Sequence, residues 1–182
     1  EGNVYVSTLI QSKTALDGRL ALEVALNILQ IPSLQGLNLQ VKWPNDLYSL
    51  QGKWGGILVE PFSANQAIVG VGINLNTPPV ENADQPISSL HMLGLHQIER
   101  LSLIAELYTA IQQAAQWFEH GSYNLAERFN HHAIWLNQQV EFEHAQGKLQ
   151  GRFQGISNDG AVIIKTDQAQ QFYQGRLRLA EI

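Results

Sequence analysis

With 182 residues and 45% hydrophobic side chains, the chain is long enough for one domain of ordinary size plus a small appendage, with a core that needs no covalent staples. It has no cysteine, which excludes disulfides, thiolate metal sites and a cysteine nucleophile and fits a reducing, cytoplasmic setting. A net charge of −5 with 11 thinly spread basic residues offers no patch for a nucleic-acid backbone, and no apolar run of about 18 residues or basic leader supports a membrane span or signal peptide, so the chain reads as soluble.

Val4, Val6 and Thr8 alternate with Tyr5, Ser7 and Leu9, the period of a strand. Thr14 with Asp17 three residues on predicts a capped helix start, and two apolar stripes (Leu16, Leu20, Val24, Ile28; Leu22, Leu26, Leu29) predict a helix buried on two sides to about Gln30, stopped by Pro32. Apolar runs at 39–43, 55–60 and 67–74 predict strands of a covered sheet. Residues 77–85, with two prolines, read as a loop. Ser102 is expected to cap a helix carrying Leu103, Leu107, Ile111, Ala114 and Phe118, which Gly121 breaks; a second helix over 122–134 buries Leu125 and Phe129. From there the pattern changes to short strands at 140–144, 149–156, 161–165, 171–173 and 176–179, separated by turn residues, as in a small barrel. This divides the chain into residues 1–135 and 136–182.

The chemistry concentrates in Lys42-Trp43-Pro44-Asn45-Asp46-Leu47-Tyr48 and, four residues later, Lys53-Trp54-Gly55-Gly56-Ile57-Leu58-Val59-Glu60. A strand stops at a proline, presents polar side chains and resumes through a glycine pair, so the candidate site sits on a hairpin. Lysine ammonium groups suit phosphate and carboxylate oxygens, and adjacent Asn and Asp suit Mg²⁺ or ribose hydroxyls. Gly55 and Gly56 would let backbone approach a ligand. An ordinary hairpin with exposed lysines satisfies the same residue types. Trp43 and Trp54 read as packing residues, and the six histidines show no metal-ligand spacing with carboxylates.

The two strings together resemble the signature of biotin protein ligases, in which a KWPND segment precedes a lysine-bearing strand ending in GGILVE. Residues 2–7 (GNVYVS) resemble that family's first substrate-lining strand, and Gly70-Val71-Gly72-Ile73-Asn74-Leu75-Asn76 resembles its glycine-spaced strand beside the ligand. The tail from about Trp135 is similar to the SH3-like β-barrel that closes many bacterial members. The resemblance implies an α/β (α+β) fold, a mixed sheet flanked by helices like that of class II aminoacyl-tRNA synthetases, followed by that barrel. It implies ligation of biotin, through biotinyl-5′-AMP made from ATP and Mg²⁺, to a lysine of a biotin carboxyl carrier protein, with a homodimer as a further expectation. Lys53 would contact the biotin carboxylate and the reacting phosphate, with Asp46 as its catalytic partner. Tyr5, Ser7, Gly56, Gly70 and Gly72 would line the biotin pocket, while Lys42, Asn45, Asp46 and Asn74 would meet the nucleotide, Asn45 and Asp46 also facing Mg²⁺.

In the family an arginine- and glycine-rich loop precedes the strand matched by residues 2–7, and nothing here matches it. The chain opens at Glu1 with its single methionine at position 92, so an upstream segment is expected, and the chain alone is expected to fold but hold biotin weakly. Arg176 and Ala180 depart from the acid and arginine common at those positions, which puts contacts between barrel and active site in question. Two other readings fit part of the pattern: a lipoate-protein ligase-like enzyme, and a fragment that binds biotin or the carrier without catalysis.

Overall fold

A computed structural model describes residues 3–76 and 83–180. Gly2 of the first motif and residues 77–82 of the expected loop lie outside the described residues.

Five strands form the first sheet: β1 (Asn3–Gln11), β2 (Gln40–Lys42), β3 (Asp46–Ser49), β4 (Gly52–Pro61) and β5 (Gln66–Asn74), in the order β1-β5-β4-β3-β2. All their ladders are antiparallel, and parallel pairing is confined to isolated bridges from Val41 to Ala133 and Lys53 to Ile87. The α+β class therefore holds, with the sheet mixed only through those bridges. Between β1 and β2 lies α1 (Arg19–Ile28); α2 (Arg100–Glu119) packs on it and reaches β1, while α1 reaches β4. Val4, Ile57, Val69, Val71 and Ile73 are buried beneath these helices. Tyr5, Leu9, Leu58 and Ile68 on the other face remain exposed, so the sheet is covered on one face and not on both, as its apolar strands had suggested.

The helix boundaries correct the sequence reading. Asp17 does not complete a capping box with Thr14; its carboxylate accepts the Arg19 backbone N–H at 2.9 Å and the Arg19 guanidinium at 2.7 Å, so α1 starts five residues later. The cap of α2 is Glu99, which accepts from the N–H groups of Leu101 and Ser102 at 3.2 and 2.6 Å, and Ser102 lies inside the helix. Helix α3 spans only Leu125–His132, because Ser122 and Asn124 sit at positive φ. Gly121, at φ 88°, ends α2 as expected.

The second sheet, β6 (Gln139–His144), β7 (Gly147–Ile156), β8 (Val162–Lys165), β9 (Ala169–Phe172) and β10 (Arg176–Leu179), runs β10-β6-β7-β8-β9 around Val140, Phe142, Phe153, Ile164 and Leu177. It is docked on the first unit by polar contacts. Asn130 on α3 accepts the Ile156 N–H at 2.9 Å, Asn158 accepts the Ala126 N–H at 3.0 Å, and the Trp43 indole donates to the Gly160 carbonyl at 3.0 Å.

Helix α1 buries one charge, Glu23, fully inaccessible and bonded by both terminal guanidinium nitrogens of Arg128 at 2.6 and 2.9 Å, with Arg128 lying 4.4 Å over Trp117. Such a pair is needed because an unpaired carboxylate there would be desolvated without compensation. Arg128→Met is expected to cost about 2 kcal/mol, less than the 3–5 typical of a fully buried pair because part of the arginine meets water; urea unfolding measures it.

Candidate active site

The expected single hairpin is two. Strand β2 turns at Trp43-Pro44-Asn45 into β3, and β3 turns at residues 50–51 into β4, where Gly52 adopts φ 125°. A Cβ at Gly52 would stand 2.5 Å from the Pro86 carbonyl oxygen, so a neighbouring segment is packed hard against the start of β4. That segment holds the backbone of Lys53: its N–H donates to Pro86 at 2.9 Å and its carbonyl accepts from Ser88 at 2.8 Å.

Antiparallel register then lays one row of side chains across all five strands. Tyr5 faces Gly72, Gly72 faces Gly56, Gly56 faces Asp46 and Asp46 faces Lys42. The next row is Ser7, Gly70 and Leu58. The row has a glycine floor with an aromatic wall at one end and charge at the other. A Cβ on Gly72 would meet the Tyr5 ring at 3.2 Å, and one on Gly56 would meet the Lys53 Cε and Nζ at 3.2 and 3.3 Å. Gly55 serves the fold instead: a Cβ there would lie 2.6 Å from the Gly72 carbonyl oxygen. Gly55→Ala should therefore lose about 1–3 kcal/mol of stability to overpacking, read as a shift in the urea midpoint.

At the charged end Asp46 binds two lysines, Oδ1 to Lys53 Nζ at 2.6 Å and Oδ2 to Lys42 Nζ at 3.1 Å. Gln85 closes the cluster, accepting from Lys42 at 2.5 Å and donating to Asp46 at 3.3 Å. Lys42 also lies 5.3 Å from the Tyr48 ring centroid and 5.7 Å from that of Trp135. Burial pushes the Lys42 ammonium below the ordinary lysine range, opposed by Asp46. Burial would raise the Asp46 carboxyl, yet the hydrogen bonds and charges of Lys53 and Lys42 hold it below the usual carboxylate range. The Tyr48 phenol is pushed up to about 12 by burial and the Asp46 charge.

Because the folded Asp46 value is depressed, its stabilisation is present above the ordinary value of 3.8 and lost as pH falls through the folded value. Asp46→Asn, which leaves two lysines without their shared counter-charge, should cost about 2 kcal/mol at neutral pH. The difference from the parent should shrink below about pH 4, as urea titrations across pH would measure.

Beyond the cluster opens a cavity of about 920 Å³, lined by Lys42, Trp43, Asn45, Asp46 and Lys53 on the sheet side and by Trp135, Arg176 and Arg178 on the barrel side. Arg178 is paired with Asp84 at 3.2 Å. Of the sequence-predicted residues, Lys42, Asn45, Asp46 and Lys53 share this cavity, while Tyr5, Ser7, Gly56, Gly70 and Gly72 form the open floor beside it. Two amides are engaged by backbone: Asn45 donates to the Ile57 carbonyl at 2.7 Å, and Asn74 to that of Ser88 at 3.1 Å. Gln85, Tyr48, Trp135 and Arg178 were not among the sequence-predicted site residues, and Arg176, whose departure from the family pattern put the contact between barrel and active site in question, lines the cavity. Only the Leu47-Tyr48 pair, framed by turn residues, carried a local signal for β3 and hence for Tyr48. Among the described residues no cluster of three or more His, Asp or Glu side chains is placed to hold a metal.

The one-sided sheet under two helices and the appended barrel give the architecture, and comparison with known proteins gives the class. A family model described as "Biotin/lipoate A/B protein ligase family" matches residues 4–74, and one described as "Biotin protein ligase C terminal domain" matches residues 135–177. The bifunctional ligase/repressor BirA of Escherichia coli is 28% identical over 91% of this chain and 54% of its own length. The biotin–[acetyl-CoA-carboxylase] ligase of Paracoccus denitrificans is 29% identical over 70% of this chain and 57% of its own. The solved structure of the Aquifex aeolicus biotin protein ligase in complex with biotin and ATP superimposes with a TM-score of 0.82 at 23% identity, covering 99% of this chain and 80% of that one. The chain belongs to the biotin protein ligase family. It spans about half the length of the curated relatives it matches.

Proposed function

We propose that the protein activates biotin with ATP and transfers it to a lysine of a biotin carboxyl carrier protein. The observation that carries this is the row from Tyr5 through Gly72 and Gly56 to Asp46 and Lys42, with Lys53 at the charged end. Two side-chain-free positions admit a flat ring system against the sheet, walled by Tyr5 and reached by the Ser7 hydroxyl, with Gly70 extending the floor. Its carboxylate would then point to Lys53. A cavity of about 920 Å³ beyond, where four cationic side chains outnumber the carboxylates of Asp46 and Asp84, suits a nucleoside triphosphate.

Activation joins two anions, so a cation between them offsets repulsion that grows as charge builds on phosphorus. A biotin carboxylate oxygen attacks the α-phosphorus, the bond to the β-phosphate oxygen breaks and pyrophosphate leaves; the carrier lysine then attacks the mixed anhydride and releases AMP. Asp46 fixes the Lys53 ammonium and leaves its remaining protons for substrate oxygens. Magnesium would arrive with ATP as part of the substrate: Asp46 is the one carboxylate in the cluster and both its oxygens carry lysines, so with the Asn45 oxygen it supplies few ligands and the phosphates supply most. Asn74, its nitrogen engaged by the Ser88 carbonyl, does not line that cavity, and a role toward the nucleotide rests on the resemblance alone. The lack of cysteine agrees with chemistry that forms no covalent enzyme intermediate and with a cytoplasmic site of action. Self-association rests on the resemblance.

The test is pyrophosphate release with ATP and either biotin or lipoate, followed by mass spectrometry of a carrier domain. Biotin-dependent release and a single biotinyl adduct are expected. Release with lipoate alone would move the assignment to the lipoate ligases, and biotin binding without release would leave a binding fragment.

A further inference from the structure

The cluster of Asp46, Lys42 and Lys53 lies at the edge of the first sheet, and β2 and β3 that carry most of it are only three and four residues long. Short strands at a sheet edge hold their turn weakly by themselves. The turn between them, Trp43-Pro44-Asn45, places Lys42 on one side and Asp46 on the other, so its position decides whether the carboxylate reaches both ammonium groups.

Besides the Ile134 N–H that donates to the Val41 carbonyl of β2 at 2.9 Å, two restraints act on the turn itself. From the sheet, Asn45 bonds Ile57 of β4 through both side chain and backbone, at 2.7 and 2.9 Å. From the barrel, the Trp43 indole N–H donates to the Gly160 carbonyl at 3.0 Å across 117 residues of sequence, and the indole ring stands 6.0 Å from Phe142 in the barrel core. Trp43 is 2% exposed, so an indole N–H without this acceptor would be buried and unsatisfied. The acceptor is itself held: Gly160 is at φ 87°, and a Cβ there would meet Arg19 Cγ and Leu22 Cδ1 of α1 at 3.2 Å.

We infer that Trp43 is a positioning residue through which the barrel holds the Asp46–lysine cluster in its reactive geometry. The biotin floor is built on β1, β4 and β5 and touches none of these barrel contacts, so loss of the strut should separate the two substrates. This inference rests on the functional reading above.

The test is steady-state pyrophosphate release by the full protein carrying Trp43→Phe, which keeps an apolar ring and loses the donor, and Gly160→Ala, which disturbs the acceptor from the barrel side. Each is expected to raise KM for ATP or lower kcat by about three- to tenfold, the scale of one hydrogen bond, with KM for biotin, which meets the cluster only through its carboxylate, changed less. The double variant should be little worse than either single one, because both break the same contact. Arg128→Met, destabilising but remote, should lower Tm without moving KM for ATP. Equal loss for biotin and ATP, additive effects, or unaltered kinetics in both variants would overturn the inference. A parent that releases no pyrophosphate would instead overturn the functional reading. In that case hydrogen exchange at residues 42–46 decides: faster exchange in Gly160→Ala sustains the strut, and unchanged exchange removes it.

Discussion

Replacing Lys53 by alanine is expected to slow biotin adenylation by about 10²–10³-fold, or 2.7–4 kcal/mol, the effect of removing one preorganised donor from a site of developing charge. Lys53 is the cation that stands both against the glycine floor, 3.3 Å from where a Gly56 Cβ would be, and against Asp46 at 2.6 Å. Its backbone is held by Pro86 and Ser88, so the substitution removes a charge from a frame that stays in place. Ground-state biotin binding depends mainly on the floor and should weaken less. Single-turnover pyrophosphate release and calorimetry with biotin read the two separately, and release within twofold of the parent would remove Lys53 from the mechanism.

Gly72→Val should weaken biotin binding at least about a hundredfold, equivalent to 2.8 kcal/mol, while leaving the protein folded. Valine suits a strand, and the clash it meets is with the ring of Tyr5, which is 75% exposed and can swing aside. The space lost is that of the ligand. Gly55→Ala supplies the contrast, because its clash is with the Gly72 backbone and its cost falls on stability. A folded Gly72→Val protein with parental biotin affinity would place the pocket elsewhere.

Much of this site was legible in sequence because its parts are short-range. Lys42, Asp46, Lys53 and Gly56 fall within fifteen residues, and Gly70 and Gly72 share a face by strand period alone. What was missed came from tertiary placement. Strand β3 is four residues long, and the Pro44-Asn45 turn chemistry read more strongly than Leu47-Tyr48. Gln85 reaches Lys42 across 43 residues, with no local pattern to mark it. The cap of α2 was misplaced because Glu99 is an uncommon N-cap, less expected there than serine.

The spans of chain that close the site differ widely, and this bears on how it is built in time. The two small hairpins that bring Lys42, Asp46 and Lys53 together close loops of a few residues, whereas the floor requires β1 to find β5 across some sixty and the barrel contact spans 117. Loop closure favours the near pairings, so the lysine–carboxylate end is set to organise early in refolding and the aromatic end late. A newly made chain would thus hold its charges in place before it has anywhere to seat the ring.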